Sequence, residues 1–403
     1  MANNGHKAAI VLSGGGARGS YEAGVLRYLR DEVPGGAEFQ LPILCGTSVG
    51  AIHAVYLAAT ADKPKEAARG LCDIWTGLQL HDVFRLGMRE ILSVRRRMSH
   101  HVDPHHPPLA HGGLVDARPL ERLVRERIPW KRLRPNIESG LVHGLAVSAT
   151  HVATGCTTVF VDHNGAGIPP WGRDPQIVAK STRIGMAHTL ASACIPFIFP
   201  AILVGGEYYC DGGLRQNTPL SPALRLGADR VLVLGARHRR SPENADRRAG
   251  RVIDFPSPLF LAGKVLNALL LDRIDYDLER LEGFNRMLDS MAEACGPQGE
   301  QRLGEAIGRL RGQPYRRVRA LHIRPSRDIG ELAATFAAGP EFSARARGIA
   351  ARLARRVAKS QLSREADFLS YFLFDGGFTR LLVEMGWEDA RLRHDDLARF
   401  VAE

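Results

Sequence analysis

The chain lacks any run of about 20 apolar residues, the length a helix needs to cross a bilayer, and its 403 residues include only six cysteines. A helical membrane span is therefore not expected. Cys45, Cys72, Cys156, Cys194, Cys210 and Cys295 show no metal-ligand spacing, so the sequence predicts no metal site and no disulfide framework, and points to reduced thiols in the cytoplasm. Residues 1–7 are polar and lead straight into an apolar stretch, which leaves no evident signal peptide. Internal repeats and low-complexity tracts are also missing. Acidic residues are in deficit, with 54 Lys and Arg against 43 Asp and Glu and a formal net charge of +11. Basic clusters at Arg95-Arg96-Arg97, at Arg237-His238-Arg239-Arg240 with Arg247-Arg248, and at Arg316-Arg317 suit peripheral contact with an anionic membrane, although a general arginine bias would give the same balance. Neither zinc-finger spacing nor an aromatic-interleaved basic motif accompanies them, which argues against nucleic acid as a partner.

What is present is concentrated in three glycine-bearing turns. Lys7-Ala8-Ala9-Ile10-Val11-Leu12-Ser13 reads as a buried strand and runs into Gly14-Gly15-Gly16-Ala17-Arg18-Gly19, after which residues 21–29 have helical spacing. A glycine loop that opens a helix offers free backbone N–H groups to an anion or a developing oxyanion. Leu41-Pro42-Ile43-Leu44-Cys45 reads as a second strand, followed by Gly46-Thr47-Ser48-Val49-Gly50 and a small-residue helix over 51–59. In this G-x-S-x-G pattern the glycines permit a sharp strand-to-helix turn that holds the Ser48 hydroxyl out as a nucleophile. Downstream, Tyr208-Tyr209-Cys210 leads into Asp211-Gly212-Gly213, a carboxylate at a strand end. Each pattern alone also describes an ordinary tight turn.

Together, and in this order, the three turns resemble those of the patatin-like phospholipase family, serine acyl hydrolases that use a Ser-Asp dyad. Ala191-Ser192-Ala193-Cys194-Ile195-Pro196-Phe197-Ile198-Phe199-Pro200 and Asn217-Thr218-Pro219-Leu220 resemble the family's segments on either side of the aspartate. The resemblance covers roughly the first 240 residues. It implies a three-layer α/β fold, with a central, mostly parallel sheet, helices on both faces and a helical C-terminal region. It further implies Ser48 as nucleophile, Asp211 as base, Gly14 to Gly19 as the oxyanion-hole loop with Arg18 fixing the loop or attracting a phosphate, Gly46 and Gly50 as elbow glycines, and Gly212 and Gly213 as the base motif. The substrate would be a lipid ester, with no cofactor.

Other readings fit parts of the pattern. Gly14-x-Gly16-x-x-Gly19 also matches a dinucleotide fingerprint, but Glu38 precedes the second strand and no acidic residue ends it. An α/β-hydrolase triad would need a histidine, and His143, His151 and His188 all lie between Ser48 and Asp211. Asp375-Gly376-Gly377 repeats the base motif, yet its flanks read as helical and place Asp375 near a helix cap. The histidines of residues 99–113 are scattered by prolines, which reads as a mobile lid or surface loop. Three regions are expected: a catalytic core over 6–236, a linker and helical insertion over 237–318, and a late strand with helices over 319–403. Within the insertion, 258–271 reads as an apolar helix. The expected activity is phospholipase A or lysophospholipase hydrolysis; an acyltransferase, a short-chain esterase and a non-catalytic lipid-binding protein remain as alternatives.

Overall fold

The computed structural model describes residues 7–85, 110–238 apart from 166, 169, 170, 172 and 173, 274–311, 316–340, 342 and 366–402. Its centre is a ten-stranded sheet. β1 (Ala8–Leu12), β2 (Ile43–Thr47), β4 (Gly144–His151), β9 (Arg230–Leu234) and β10 (Arg319–Ile323) form its parallel part, in the order β10-β9-β1-β2-β4. β1, β2 and β9 read as apolar runs because both of their faces are covered, whereas β10, at the edge, is exposed at Arg319 and Ala320. Ile10, Leu12, Leu44 and Leu232 enter one core; Ala9, Val11, Ile43 and Val231 enter the other. On the first face lie α1 (Ser20–Asp31), α2 (Val49–Ala59) and α3 (Pro64–Gly77).

Beyond β4 the sheet turns antiparallel. β5 (Thr157–His163) and β8 (Glu207–Asp211) both pair antiparallel with β4, β7 (Ala201–Val204) joins β8 to the edge strand β3 (Ala110–His111) in the same sense, and β6 (Ile177–Ser181) pairs parallel with β5. β4 and β5 form a hairpin with Gly155 in the turn at φ 66. Residues 99–113 were read as irregular throughout, whereas 110–111 form β3; a two-residue strand is too short to leave a periodic signal, and Gly112 and Gly113 follow it at φ 79 and 88. Two connecting helices matter for the site, α4 (Arg118–Arg127) and α5 (Met186–Ala193). The second core is closed by α6 (Leu220–Arg225) and by Ile274 and Leu281 of α7 (Ile274–Arg311), a helical run broken at Gly296, where φ is 69.

The C-terminal part returns to the same body. β10 extends the parallel sheet, as the sequence predicted for 319–325, and α9 (Gly376–Leu392) follows α8 (Ala366–Phe372) onto α1. α1 and α9 approach closely: a Cβ on Gly24 would strike the Val383 carbonyl, and one on Gly386 the Tyr21 carbonyl. Around this crossing Tyr21 donates to Asp389 at 3.0 Å, and the Tyr28 and Trp387 rings meet edge to face at 5.1 Å. No helix among the described residues is long and apolar enough to cross a membrane. The expected apolar helix over 258–271, the linker over 241–251, residues 99–109 of the expected lid, and Arg95 to Arg97, Arg239, Arg240, Arg247 and Arg248 lie outside the described residues.

Candidate active site

Strand register brings the proposed dyad together. Thr47 of β2 pairs with Ser148 of β4, and the next residue of β4, Ala149, pairs on the same side with Asp211 of β8, because β5 occupies the other side along this stretch. β2 runs parallel to β4 and β8 antiparallel to it, so the two strands meet with their C-terminal ends facing each other and bring Ser48 and Asp211 side by side. Ser48 Oγ donates to Asp211 Oδ2 at 2.6 Å. The serine is 5% exposed and the aspartate 0%.

Backbone geometry explains the glycines. Ser48 has φ 57 and ψ −125, a region that costs a non-glycine residue on the order of 1–3 kcal/mol. Its neighbours must come close to hold it there. A Cβ on Gly46 would meet the Gly50 carbonyl, and one on Gly50 would meet the Leu12 carbonyl. The Ser48 N–H donates to Ser192 Oγ at 2.9 Å, and Ser192 in turn donates to the Ser148 carbonyl at 2.6 Å. The segment containing Ser192 thus supports the elbow, and two residues later the Cys194 carbonyl accepts from Asp211 N–H at 2.9 Å.

The aspartate is fixed at every polar atom. Gly213 N–H donates to Oδ1 at 2.7 Å, and the Asp211 carbonyl accepts from Thr150 Oγ1 at 2.9 Å. Burial pushes the Asp211 carboxyl up to about 6, against the lowering effect of the hydrogen bonds from Ser48 and Gly213. Burial also raises its neighbour Cys210, to about 12, so that thiol stays neutral beside it.

The glycine loop lies against Ser48. A Cβ on Gly14 would sit 3.1 Å from that of Ser48. Gly14 N–H is used in a bond to the Asn217 carbonyl at 3.1 Å, and Asn217 Nδ2 returns one to the Gly14 carbonyl at 3.2 Å. The N–H groups of Gly15, Gly16 and Ala17 have no acceptor among the described residues. Gly16 takes φ 55 under the Tyr371 carbonyl, where a side chain would not fit. Arg18 is 4% exposed; its Nε donates to Ser370 Oγ at 2.8 Å and its guanidinium lies over the Tyr371 ring at 4.0 Å. In this position it ties the loop to α8.

Sequence reasoning did not find the network beneath the loop. Glu22, wholly buried, accepts from Ser13 N–H at 2.9 Å and from His53 Nδ1 at 2.8 Å; Ser13 Oγ accepts from Ala236 N–H at 2.9 Å. Trp75 Nε1 donates to His53 Nε2 at 2.9 Å, which places the ring proton on Nδ1, toward Glu22. Burial raises the Glu22 carboxyl, while the hydrogen bonds from His53 and Ser13 lower it. The available signal was a lone polar residue on an otherwise apolar or small-residue helix: His53 in VGAIHAVYLAA.

The other candidates are placed elsewhere. His143 meets Lys7 at 3.1 Å, His151 meets Thr154 at 2.8 Å, and His188 accepts from Gly185 N–H at 3.2 Å; none hydrogen-bonds to Ser48 or Asp211. Asp375 caps α9, accepting from Gly377 N–H at 2.9 Å and Phe378 N–H at 3.4 Å. Among the described residues no group of three or more His, Cys, Asp or Glu side chains could hold a metal ion. An apolar pocket opens beside Ser48 and Gly16, walled by Ile52, Trp75, Val124, Ile195, Phe199 and Phe374.

The family model for patatin-like phospholipase matches residues 10–224, more than half of the chain. No curated protein matches. Among solved structures, VipD from Legionella pneumophila is similar at 15% sequence identity and a TM-score of 0.35, over 94% of this chain and 67% of that one.

Proposed function

The chain belongs to the patatin-like phospholipase family, and from that premise we propose that it is a lipid acyl hydrolase in which Ser48 attacks the ester carbonyl of a phospholipid or lysophospholipid with Asp211 as base. The observation that carries this reading is the 2.6 Å bond from Ser48 Oγ to Asp211 Oδ2, in a site where no histidine among the described residues bonds to either residue. Asp211 takes the hydroxyl proton as Oγ adds to the carbonyl, then returns it to the departing alcohol, leaving an acyl-enzyme on Ser48. Water repeats the sequence in reverse. An ordinary aspartate is too weak a base to favour this transfer; burial narrows the gap by raising Asp211 to about 6. The remainder falls to the oxyanion, which the free N–H groups of Gly15, Gly16 and Ala17 are placed to receive; one such donor is worth about 3 kcal/mol in comparable sites. The apolar pocket beside Ser48 suits an acyl chain.

The test is fatty-acid release from phosphatidylcholine and lysophosphatidylcholine by the wild type and by Ser48→Ala. Release by the wild type, falling to no more than a few per cent in the variant, is expected. Release that survives the substitution would remove Ser48 from the mechanism, and no release from any lipid ester would favour a binding protein.

A further inference from the structure

The turn beside the apolar pocket carries one of its two phenylalanines outward, away from any packing. Phe197 is 81% exposed and sits at φ 67. A bulky aromatic in the left-handed region is a true outlier, and such strain persists only where surrounding structure enforces it. That structure is visible. Phe199 N–H donates to the Ile195 carbonyl at 2.9 Å, which closes the turn, and both of these residues face the pocket. A second loop is laced to the first: Leu114 N–H reaches the Phe197 and Ile198 carbonyls at 3.0 and 2.9 Å, and Val115 N–H the Ile198 carbonyl at 3.1 Å. Gly113, at φ 88, packs against the backbone of Phe199 and Pro200 so closely that a Cβ would collide. Leu114, 45% exposed, thereby joins Phe197 at the surface.

We propose that Phe197 and Leu114 form a rigid prong that inserts into the acyl boundary of a phospholipid bilayer and seats the Ser48 pocket against it, an inference that rests on the acyl-hydrolase reading above. Two observations point to a bilayer as the occupant. The inner side of the same turn lines the apolar pocket, so an acyl chain drawn past the prong stays on apolar surface. Next to it α4 turns Leu120, Leu123 and Val124 to the pocket and keeps Arg122 and Arg125 exposed on its other face, with Arg118 paired to Asp116 at 2.8 Å. An exposed aromatic wedge at the mouth of a pocket whose wall helix carries exposed arginines matches the hydrocarbon and phosphate layers of a membrane surface.

The deciding variant is Phe197→Asn, because asparagine accepts the left-handed conformation that strains phenylalanine. Placed in Ser48→Ala protein to separate docking from turnover, it should raise the thermal midpoint and yet weaken sedimentation with phosphatidylcholine vesicles containing phosphatidylglycerol by about ten- to a hundredfold, the loss expected for one withdrawn aromatic side chain. A purely structural role predicts a change of stability without loss of binding. In parallel, Phe197→Trp should show a blue-shifted emission on vesicle addition, quenched by bromine-labelled acyl chains. Phe197→Asn that binds vesicles like its parent would overturn the proposal. So would a Phe197→Trp shift that depends on protein concentration without vesicles, since a second copy would then cover the prong. Loss of vesicle binding in Phe197→Asn alongside a wild type that releases no fatty acid would leave the prong standing and remove the hydrolase reading.

Discussion

Asp211 is held in a place where its charge is costly. With an unfolded value near 3.9 and a folded value of about 6, the native state binds the proton more tightly than the unfolded chain does. Its contribution to stability is therefore complete below about pH 4 and is lost as pH rises through about 6. Asp211→Asn removes the charge and keeps a side chain of the same shape, so it should be more stable than the wild type at pH 8 by about 1–3 kcal/mol, with the difference vanishing near pH 4. Denaturant titrations at the two pH values measure this; an equal difference at both would mean that ionisation of Asp211 is not the cause. The residues at the turns were legible because backbone demands spell themselves locally: glycines at 14, 16, 46, 50 and 212 stand where a Cβ would strike a neighbouring group. Glu22, Ser192 and Ser370 were not legible, since each is a single letter whose partner lies at least nine positions away in the chain.

Among the elements, strands buried on both faces were readable from composition, and β1 and β2 fall where apolar runs predicted them. β3, β6 and β7 were not read; β3 and β7 are short, and β6 mixes half-buried and exposed positions without a regular period. The repeated Asp-Gly-Gly strings separate at this scale. Asp211 ends a strand and accepts from Ser48, whereas Asp375 opens a helix and accepts from that helix's own N–H groups. Asp375→Ala should therefore cost about 1 kcal/mol of stability, the worth of a cap, and leave the rate of fluorophosphonate labelling at Ser48 near the wild-type value. Unfolding and labelling measured side by side check it; lost labelling with unchanged stability would require a role for Asp375 in the site.

For the whole molecule, the sheet's change from parallel to antiparallel at β4 is what aligns serine with aspartate, and no local pattern announces a pairing between residues 149 and 211. The C-terminal region likewise reaches back across the chain: Arg18 meets Ser370, the Tyr371 carbonyl covers Gly16, and Phe374 walls the pocket. Sequence reading gave this region helices without a role. The positive charge is partly spent inside the fold. Arg316 lies 3.5 Å from Asp229 and donates to the Leu224 carbonyl, and Arg317 pairs with Asp289 at 2.7 Å. That cluster is engaged within the molecule, as is Arg118 of α4 with Asp116, while Arg122 and Arg125 of α4 are exposed.

The central claim is that Ser48 is activated by Asp211, and the pH dependence of fluorophosphonate labelling tests it most directly, because the reagent reacts with the nucleophile and leaves the oxyanion in the loop. In the wild type the labelling rate should rise with pH through a midpoint near 6, where the buried carboxyl ionises, and level off above it. In Asp211→Asn the rate should be lower by about a hundredfold or more, the usual worth of a general base, and should lose that midpoint. Labelling of Asp211→Asn at the wild-type rate with the same midpoint would contradict the dyad.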